Sequence, residues 1–497
     1  MDKKVIDDIV YYIPFKKLRN ALRIYLYAIA DIDVAKNNID NNVIDTVPYY
    51  SKPIEDYYFI ENRRKSGEEK RKSYSINDDK DIDSLINYQI LHKLRELELK
   101  NKIKNGKKIK VCFLLDEISK FYFDSVYKSM LNSDIFEPFI LFTSNKNKLF
   151  KYNELFFNEY INDFNILKSN GYNVELGIDS NTSQIIPFEM FEIDILFYSC
   201  QYINYHNTEL TNILMNINYL TCHINYGLIT LNLYDYYYNN KYINTAWKIF
   251  VQTKFDYYEY IDYSVYYGFN CVLSGDPKLD KYSNNLSEYK LPQKIDNGKP
   301  IVIYAPHHSV RSEFTLANLS TFHLYYNYFL NLVKLNPNIN FVFKPHPSIL
   351  ESLIKSKLMD KEEYKNYYDE WNSLDNGLCV TDGDYINLFR KSSLLITDCA
   401  SFIGEYLHSG NPVIYLVNPE RDQNTYFESF SNMGNKILKT YYLAHNEEEI
   451  QMHFDNIMKN NVDYNKEERK KLSEEIFFNI GSAGKYITNY LEKILTN

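Results

Sequence analysis

The sequence predicts two successive doubly wound parallel α/β sheets with a cleft between them. Three observations carry that reading. From residue 109 onward, short apolar runs rich in β-branched residues alternate with amphipathic stretches of helical period, the pattern of βαβ units. The series pauses once, at a polar segment over 281–299. And 497 residues are too many for one core, since single cores stop growing near about 250–300 residues.

Taken in order, Phe15, Leu18, Leu22, Tyr25/Leu26 and Ile29 recur at helical spacing, with Lys16, Lys17, Arg19 and Arg23 between them. A basic amphipathic helix over 14–29 follows, suited either to an anionic membrane surface or to packing on the main body with its basic face solvated. Residues 37–83, rich in Asn, Asp, Lys and Glu, read as linker. Ile86, Ile90, Leu94 and Leu97 then mark a second helix, ending in the lysine-rich run Lys100–Lys110.

The first α/β series has strands at 109–115, 138–143, 172–176, 194–198, 219–223 and 249–252, with an amphipathic stretch near 118–132. The second has strands at 300–305, 339–344, 378–380, 393–397 and 412–416, with a helix over 317–335. The expected domains are an extension 1–105, a first lobe 106–285, a second lobe 296–480 and a C-terminal helix 481–497.

Composition narrows the function. Hydrophobic residues at 45% and charged ones at 24% give a globular chain with a sizeable core, and with 49 Tyr and 30 Phe much of that core must be aromatic. The Tyr, Asn, Ile and Lys excess is spread everywhere, so AT-rich coding explains it and no site is assigned to it. A net charge of −9 argues against a nucleic-acid coat. The six cysteines are far apart without C-x-x-C spacing, which argues against a disulfide framework and structural zinc. The charged start MDKKVIDDIV is no signal peptide, and no run reaches the 18 apolar residues of a membrane span. The expected location is the cytoplasm, at most peripheral at the inner face of the membrane. The N-x-S/T matches at Asn181, Asn285 and Asn318 are then chance.

Ligands of open parallel sheets bind beyond the carboxyl ends of the strands. In the second lobe those ends read Ala305-Pro-His-His-Ser-Val-Arg311, Lys344-Pro-His-Pro-Ser348 and Thr397-Asp-Cys-Ala-Ser401. A lone histidine is usually structural, but His307, His308 and His346 with Asp398 and Ser401 at three separate strand ends point to a rim built for chemistry. After Ser401, helical spacing continues to Gly410-Asn-Pro412, so the first turn from Asp398 presents free N–H groups and a positive dipole end, an anion site. Asp398 or Ser401 also fits a plain N-cap. Lys344 and Arg311 add positive charge, and prolines on both sides of His346 fix its place. In the first lobe, His223 ends a strand and is placed to deprotonate an acceptor hydroxyl.

Other motifs fail. Gly481-Ser-Ala-Gly-Lys485 is too short for a P-loop, no G-x-G-x-x-G follows a strand, and no G-x-S-x-G appears. Asp382-Gly-Asp384 has the spelling of a metal-binding D-x-D but reads as a turn. No metal or cofactor is assigned.

The ordered set Gly275-Asp-Pro-Lys-Leu-Asp280, Tyr304-Ala-Pro306, Phe343-Lys-Pro-His-Pro347, Leu395-Ile-Thr-Asp-Cys-Ala-Ser401 with Glu405, and Gly410-Asn-Pro-Val-Ile-Tyr415 resembles the CDP-glycerol glycerophosphotransferase family, the teichoic-acid primases and polymerases. The resemblance covers 195–485 and implies the two-lobed GT-B fold. It implies a CDP-activated donor in the second lobe, with His346 at the pyrophosphate, Ser401 and the helix start at Asp398 on the phosphates, and Glu405 near the nucleotide sugar. His307, His308, Arg311, Lys344 and Ser348 complete the expected donor set, with His223 and His346 as the catalytic pair. The chain departs from the family in separating His223 from Gly227, in Ala400 before Ser401, and in His307-His308 where Thr is common.

The implied reaction is transfer of a polyol phosphate from a CDP-linked donor to a hydroxyl of a glycan or lipid-linked acceptor, releasing CMP. The alternative is a GT-B glycosyltransferase using a nucleotide sugar in capsule or lipopolysaccharide synthesis; a third is a glycan-binding scaffold without chemistry.

Overall fold

The computed structural model describes residues 79–118, 121–143, 154–179, 184, 186–198, 212–239, 241–264, 268–283, 291–311, 318–381 and 385–496. The amphipathic segment 14–29 and Asp382-Gly-Asp384 lie outside them. Two parallel sheets form the two lobes expected.

The first sheet has strands β1 (Ile109–Leu115), β2 (Phe136–Phe142), β3 (Val174–Leu176), β4 (Ile195–Tyr198), β5 (Leu220–His223), β6 (Lys248–Val251) and β7 (Cys271–Leu273), in the order β3-β2-β1-β4-β5-β6-β7. The second has β8 (Ile301–Ala305), β9 (Asn340–Phe343), β10 (Gly377–Cys379), β11 (Leu394–Thr397), β12 (Val413–Leu416) and β13 (Tyr442–Ala444), in the order β10-β9-β8-β11-β12-β13. The central strands β4, β5, β8, β9, β11 and β12 are buried from end to end, which is why they read as continuous apolar runs rather than alternating ones. Strand direction of winding reverses between β1 and β4 and between β8 and β11. A crevice opens at such a switch point.

Several boundaries differ from expectation. The helix predicted from 317 begins at Phe322, after an irregular stretch Asn318–Thr321. The stretch near 118–132 narrows to a helix Asp124–Leu131. Helix Asp79–Lys104 starts inside the predicted linker, and its buried stripe runs through Tyr88, His92 and Leu99 while Leu97 stays 39% exposed. Arg95 turns that face inward by donating to the Ile217 carbonyl at 3.2 and 3.1 Å.

The chain ends by crossing back to the first lobe. Ile487, Leu491 and Leu495 of helix Ala483–Thr496 join Val126, Tyr127 and Met130 in the first-lobe core. Asp280, in the linker that joins β7 to β8 over residues 274–300, caps this helix, accepting from the Ala483 and Gly484 N–H groups at 2.8 and 2.7 Å. Gly275 sits beside it with φ +85°, and a Cβ there would lie 2.2 Å from the Phe478 carbonyl oxygen. Gly275→Ala should therefore destabilise the fold by at least about 2 kcal/mol, left-handed strain alone costing about 1–2. Denaturant unfolding measures it; a midpoint equal to wild type would show that the linker can move off this contact.

The lobes also meet along the chain that follows β5. Ser431 N–H donates to the Thr230 carbonyl at 2.8 Å, Thr230 Oγ1 donates to the Ala400 carbonyl at 2.7 Å, and Leu231 bridges Phe430. The His223 end of the first sheet is thereby laid against the helix Ala400–Leu407 of the second.

Candidate active site

At the switch point of the second sheet, the ends of β8 and β11 lie side by side with β9 on the far side of β8. The topology thus gathers His307 and His308 from β8, Lys344 and His346 from β9, and Asp398 and Ser401 from β11. The three imidazoles form one cluster. His308 lies 4.2 Å, ring to ring, from both His307 and His346, which are 5.8 Å apart.

The proton positions follow from local hydrogen bonds. His346 Nδ1 accepts the Ser348 backbone N–H at 3.1 Å. His307 Nδ1 accepts the Ser309 N–H at 3.3 Å and faces the Ser309 hydroxyl at 2.7 Å. That hydroxyl oxygen already accepts the Leu319 N–H at 3.0 Å, so its own proton is free for the imidazole. Both rings therefore carry their proton on Nε2 and act as neutral N–H donors. Burial, with the neighbouring His308 and then Lys344, pushes the His346 pKa down to about 3. Burial and the other two histidines push His307 well below the usual range. The two neutral imidazoles thus offer N–H donors without adding charge to that of Lys344.

Asp398 is fully buried and organises the rim. One carboxylate oxygen accepts the His307 backbone N–H at 2.5 Å; the other accepts the Thr321 N–H at 2.6 Å and the Thr321 hydroxyl at 2.8 Å. Burial outweighs these bonds and raises its pKa to about 6. Its carboxylate is thus committed to the protein, and the helix cap is Cys399, with no side-chain hydrogen bond, before Ala400–Leu407. The first-turn N–H groups of that helix and the Ser401 hydroxyl, 3.3 Å from Cys399 Sγ, remain at the rim.

Two expected cations differ in placement. Lys344 is buried beside the rim, its Nζ 5.2 Å from the Tyr385 ring centre. Arg311 is half exposed at φ 47°, and its guanidinium pairs with Glu420 at 3.1 Å, a carboxylate that also meets His323 Nε2 at 3.0 Å. Ser348 uses its backbone on His346 and opens the helix Ile349–Lys355.

Glu405 is buried at the seam between lobes. It accepts from Lys278 Nζ at 2.8 Å and from the Tyr385 hydroxyl at 2.5 Å, and a Cβ on Gly227 of the first lobe would sit 3.6 Å from it. Lys278 stands within the Gly275–Asp280 motif without a role legible in the sequence, and Tyr385 and Thr321 carry no signal of their own. One signal was present: His307-His-Ser309 and His346-Pro-Ser348 repeat the spacing in which a serine N–H two residues on pins an imidazole.

On the first lobe, His223 ends β5 fully buried, its Nε2 2.8 Å from Asn225 Oδ1 and its ring 4.9 Å from Tyr198. Burial pushes its pKa down to about 4 despite the Asn225 bond. It is a neutral imidazole one strand from the first-sheet switch point. No helix among the described residues is long and apolar enough to cross a membrane.

Comparison with known proteins gives the family and the fold. The sequence profile of the family CDP-glycerol:poly(glycerophosphate) glycerophosphotransferase matches residues 239–493, which include the linker and the whole second-lobe rim but not His223. No curated protein sequence matches the chain. Among solved structures, a putative UDP-N-acetylglucosamine 2-epimerase from Listeria monocytogenes is similar at TM-score 0.50 and 13% identity, over 78% of this chain and 97% of that one. The wall teichoic acid polymerase TagF with CDPG gives TM-score 0.49 and 14% identity, over 84% of this chain and 96% of that one. At these identities the likeness is one of fold.

Proposed function

The chain belongs to the CDP-glycerol:poly(glycerophosphate) glycerophosphotransferase family, and from that premise we propose that it transfers glycerol phosphate, or a closely similar polyol phosphate, from a CDP-linked donor to a hydroxyl of a teichoic-acid-like or other cell-surface glycan, releasing CMP. The observation that carries this reading is the convergence of His307, His308, His346, Lys344 and Ser401 at one switch point. It is a site of N–H and O–H donors with one buried cation, the chemistry that holds a pyrophosphate.

In the reaction, the acceptor oxygen attacks the phosphorus bearing the polyol. The anhydride P–O bond breaks, CMP leaves with the bridging oxygen, and the acceptor proton passes to a base. His346 Nε2–H and His307 Nε2–H donate to the phosphate oxygens, where charge shifts as the bond breaks; Lys344 supplies the positive field and Ser401 with the helix start holds the leaving side. Phosphoryl transfer depends mostly on such positioning. Ser348 and Asp398 hold His346 and His307 in place. Arg311 lies at the outer edge, joining the grip when it leaves Glu420. His223 takes the proton: it is neutral, and the negative charge of a donor diphosphate bound across the cleft would raise its basicity above the buried value.

The test is a ligand panel. CDP should raise the thermal midpoint more than UDP or GDP at equal concentration, and the product formed from CDP-glycerol and a polyol-phosphate acceptor should retain a phosphodiester by ³¹P NMR. An equal response to UDP, with a product lacking phosphorus, would instead support a nucleotide-sugar glycosyltransferase.

A further inference from the structure

We propose that Lys278 is a positioning residue that locks the two lobes in the arrangement required for transfer, with Glu405 as its anchor in the second lobe and not as a contact to the donor. The inference rests on the transferase reading above for its kinetic readout.

Four segments distant in sequence meet at this lysine. Its ammonium donates to Glu405 Oε1 at 2.8 Å and to the Tyr385 hydroxyl, and the same tyrosine donates to Glu405 Oε2 at 2.5 Å. It also stands 5.0 Å from the ring centre of Tyr122, on the first lobe, and 4.5 Å from that of Tyr385, on the second. The Lys278 side chain is 10% exposed and that of Glu405 3%. A buried pair of this kind is weak evidence for stability, and its best-attested use is to select one arrangement among several.

The surroundings say which arrangement. Lys278 lies in the linker, whose backbone is held against the C-terminal segment by Gly275 on one side and Asp280 on the other. The ammonium is therefore presented from a fixed point. Glu405 lies one helical turn after Ser401, so the pair sits about 6 Å along the helix from the phosphate end. Gly227, four residues after His223, faces the same carboxylate oxygen that accepts from Lys278, with room for no more than a Cβ, which would sit 3.6 Å from it. The Tyr385 ring centre is within reach of both Lys278 and Lys344, at 4.5 and 5.2 Å. One ion pair thus holds the acceptor-side loop, the phosphate-end helix and the rim lysine in register.

Three variants separate positioning from mere stability. Lys278→Met leaves Glu405 without its cation and should lower both thermal stability and turnover, the latter by about 10²-fold, the effect of a small misplacement at a reacting centre. Lys278→Arg keeps the charge and should recover most of the turnover. The double variant Lys278→Met with Glu405→Gln removes both charges and should regain stability while turnover stays low, with CDP affinity close to wild type. A double variant with wild-type kcat/KM overturns the proposal, as does a Lys278→Met protein that loses CDP affinity but keeps kcat, since the lysine would then touch the donor itself. Small-angle scattering reads the lobe arrangement without the reaction. An unchanged radius of gyration in Lys278→Met overturns the lock, whereas absent CDP binding in wild type overturns the transferase reading alone.

Discussion

His346→Ala should lower kcat by about 10²–10³-fold, the usual loss when one preorganised donor to transition-state charge is removed. CDP affinity should fall as well, by about tenfold or more, because a hydrogen bond to a charged group contributes about 1.5–3 kcal/mol. The argument depends on the ring's protonation. With Nδ1 committed to the Ser348 N–H, the donor atom is Nε2. The folded pKa of about 3 keeps the imidazole neutral across the physiological range. The kcat/KM profile, which reports the free enzyme, should therefore show no titration near pH 6.5 from this residue. Its linkage to stability has a definite sign. The folded pKa lies below the unfolded value of about 6.5, so the folded state binds fewer protons, and the contribution present above pH 6.5 is lost as pH falls towards 3. Steady-state kinetics and calorimetry with CDP measure both effects; wild-type turnover in the variant would remove His346 from the mechanism.

Much of this site could be read from the chain because parallel strands buried on both faces appear as short apolar runs, and the residue that ends each run is the one facing the crevice. Ile109–Leu115 fell where its seven apolar-rich residues placed it. Strands β7 and β13, three residues each, escape the sequence reading although β3 and β10, equally short, do not, so length alone does not decide which strands are legible. The return of the last helix to the first lobe was equally hidden: Ala483–Thr496 is an ordinary amphipathic helix until Asp280 and Val126 are beside it. The partners of charged residues were the least legible part. Asp398 reads as a cap or phosphate-site residue, but its donors come from Thr321 and His307, 77 and 91 residues away. Glu405 reads as a ligand contact, but its cation comes from 127 residues earlier. Arg311 reads as a phosphate grip, and Glu420 lies 109 residues further on. Spacing along a chain carries local chemistry well and long-range pairing hardly at all.

Asp398→Ala should abolish donor binding and also destabilise the protein, although Asp398 makes no proposed contact with substrate. Its carboxylate accepts from two backbone N–H groups and one hydroxyl in a fully buried place. Each donor left without an acceptor costs about 1–3 kcal/mol, so the three together cost about 3–9 kcal/mol, a large share of the about 5–15 kcal/mol that holds a typical native state. The damage is local before it is global: the His307 backbone, the start of helix Phe322–Leu335 and the end of β11 are released together, and His308 and His346 lose their neighbour. Asp398→Asn keeps the shape but turns an amide NH₂ towards one of the donor groups, so it should fall between alanine and wild type. Here too the pH dependence has a sign. Burial raises the folded pKa to about 6, above the 3.8 of an ordinary aspartate. The folded state then binds more protons between those values, and the contribution present below pH 3.8 is lost as pH rises through about 6. Denaturant unfolding should accordingly show a larger deficit of Asp398→Asn against wild type at pH 5 than at pH 7.5. An equal deficit at both would mean that the carboxylate is ionised throughout and that its three donors outweigh burial.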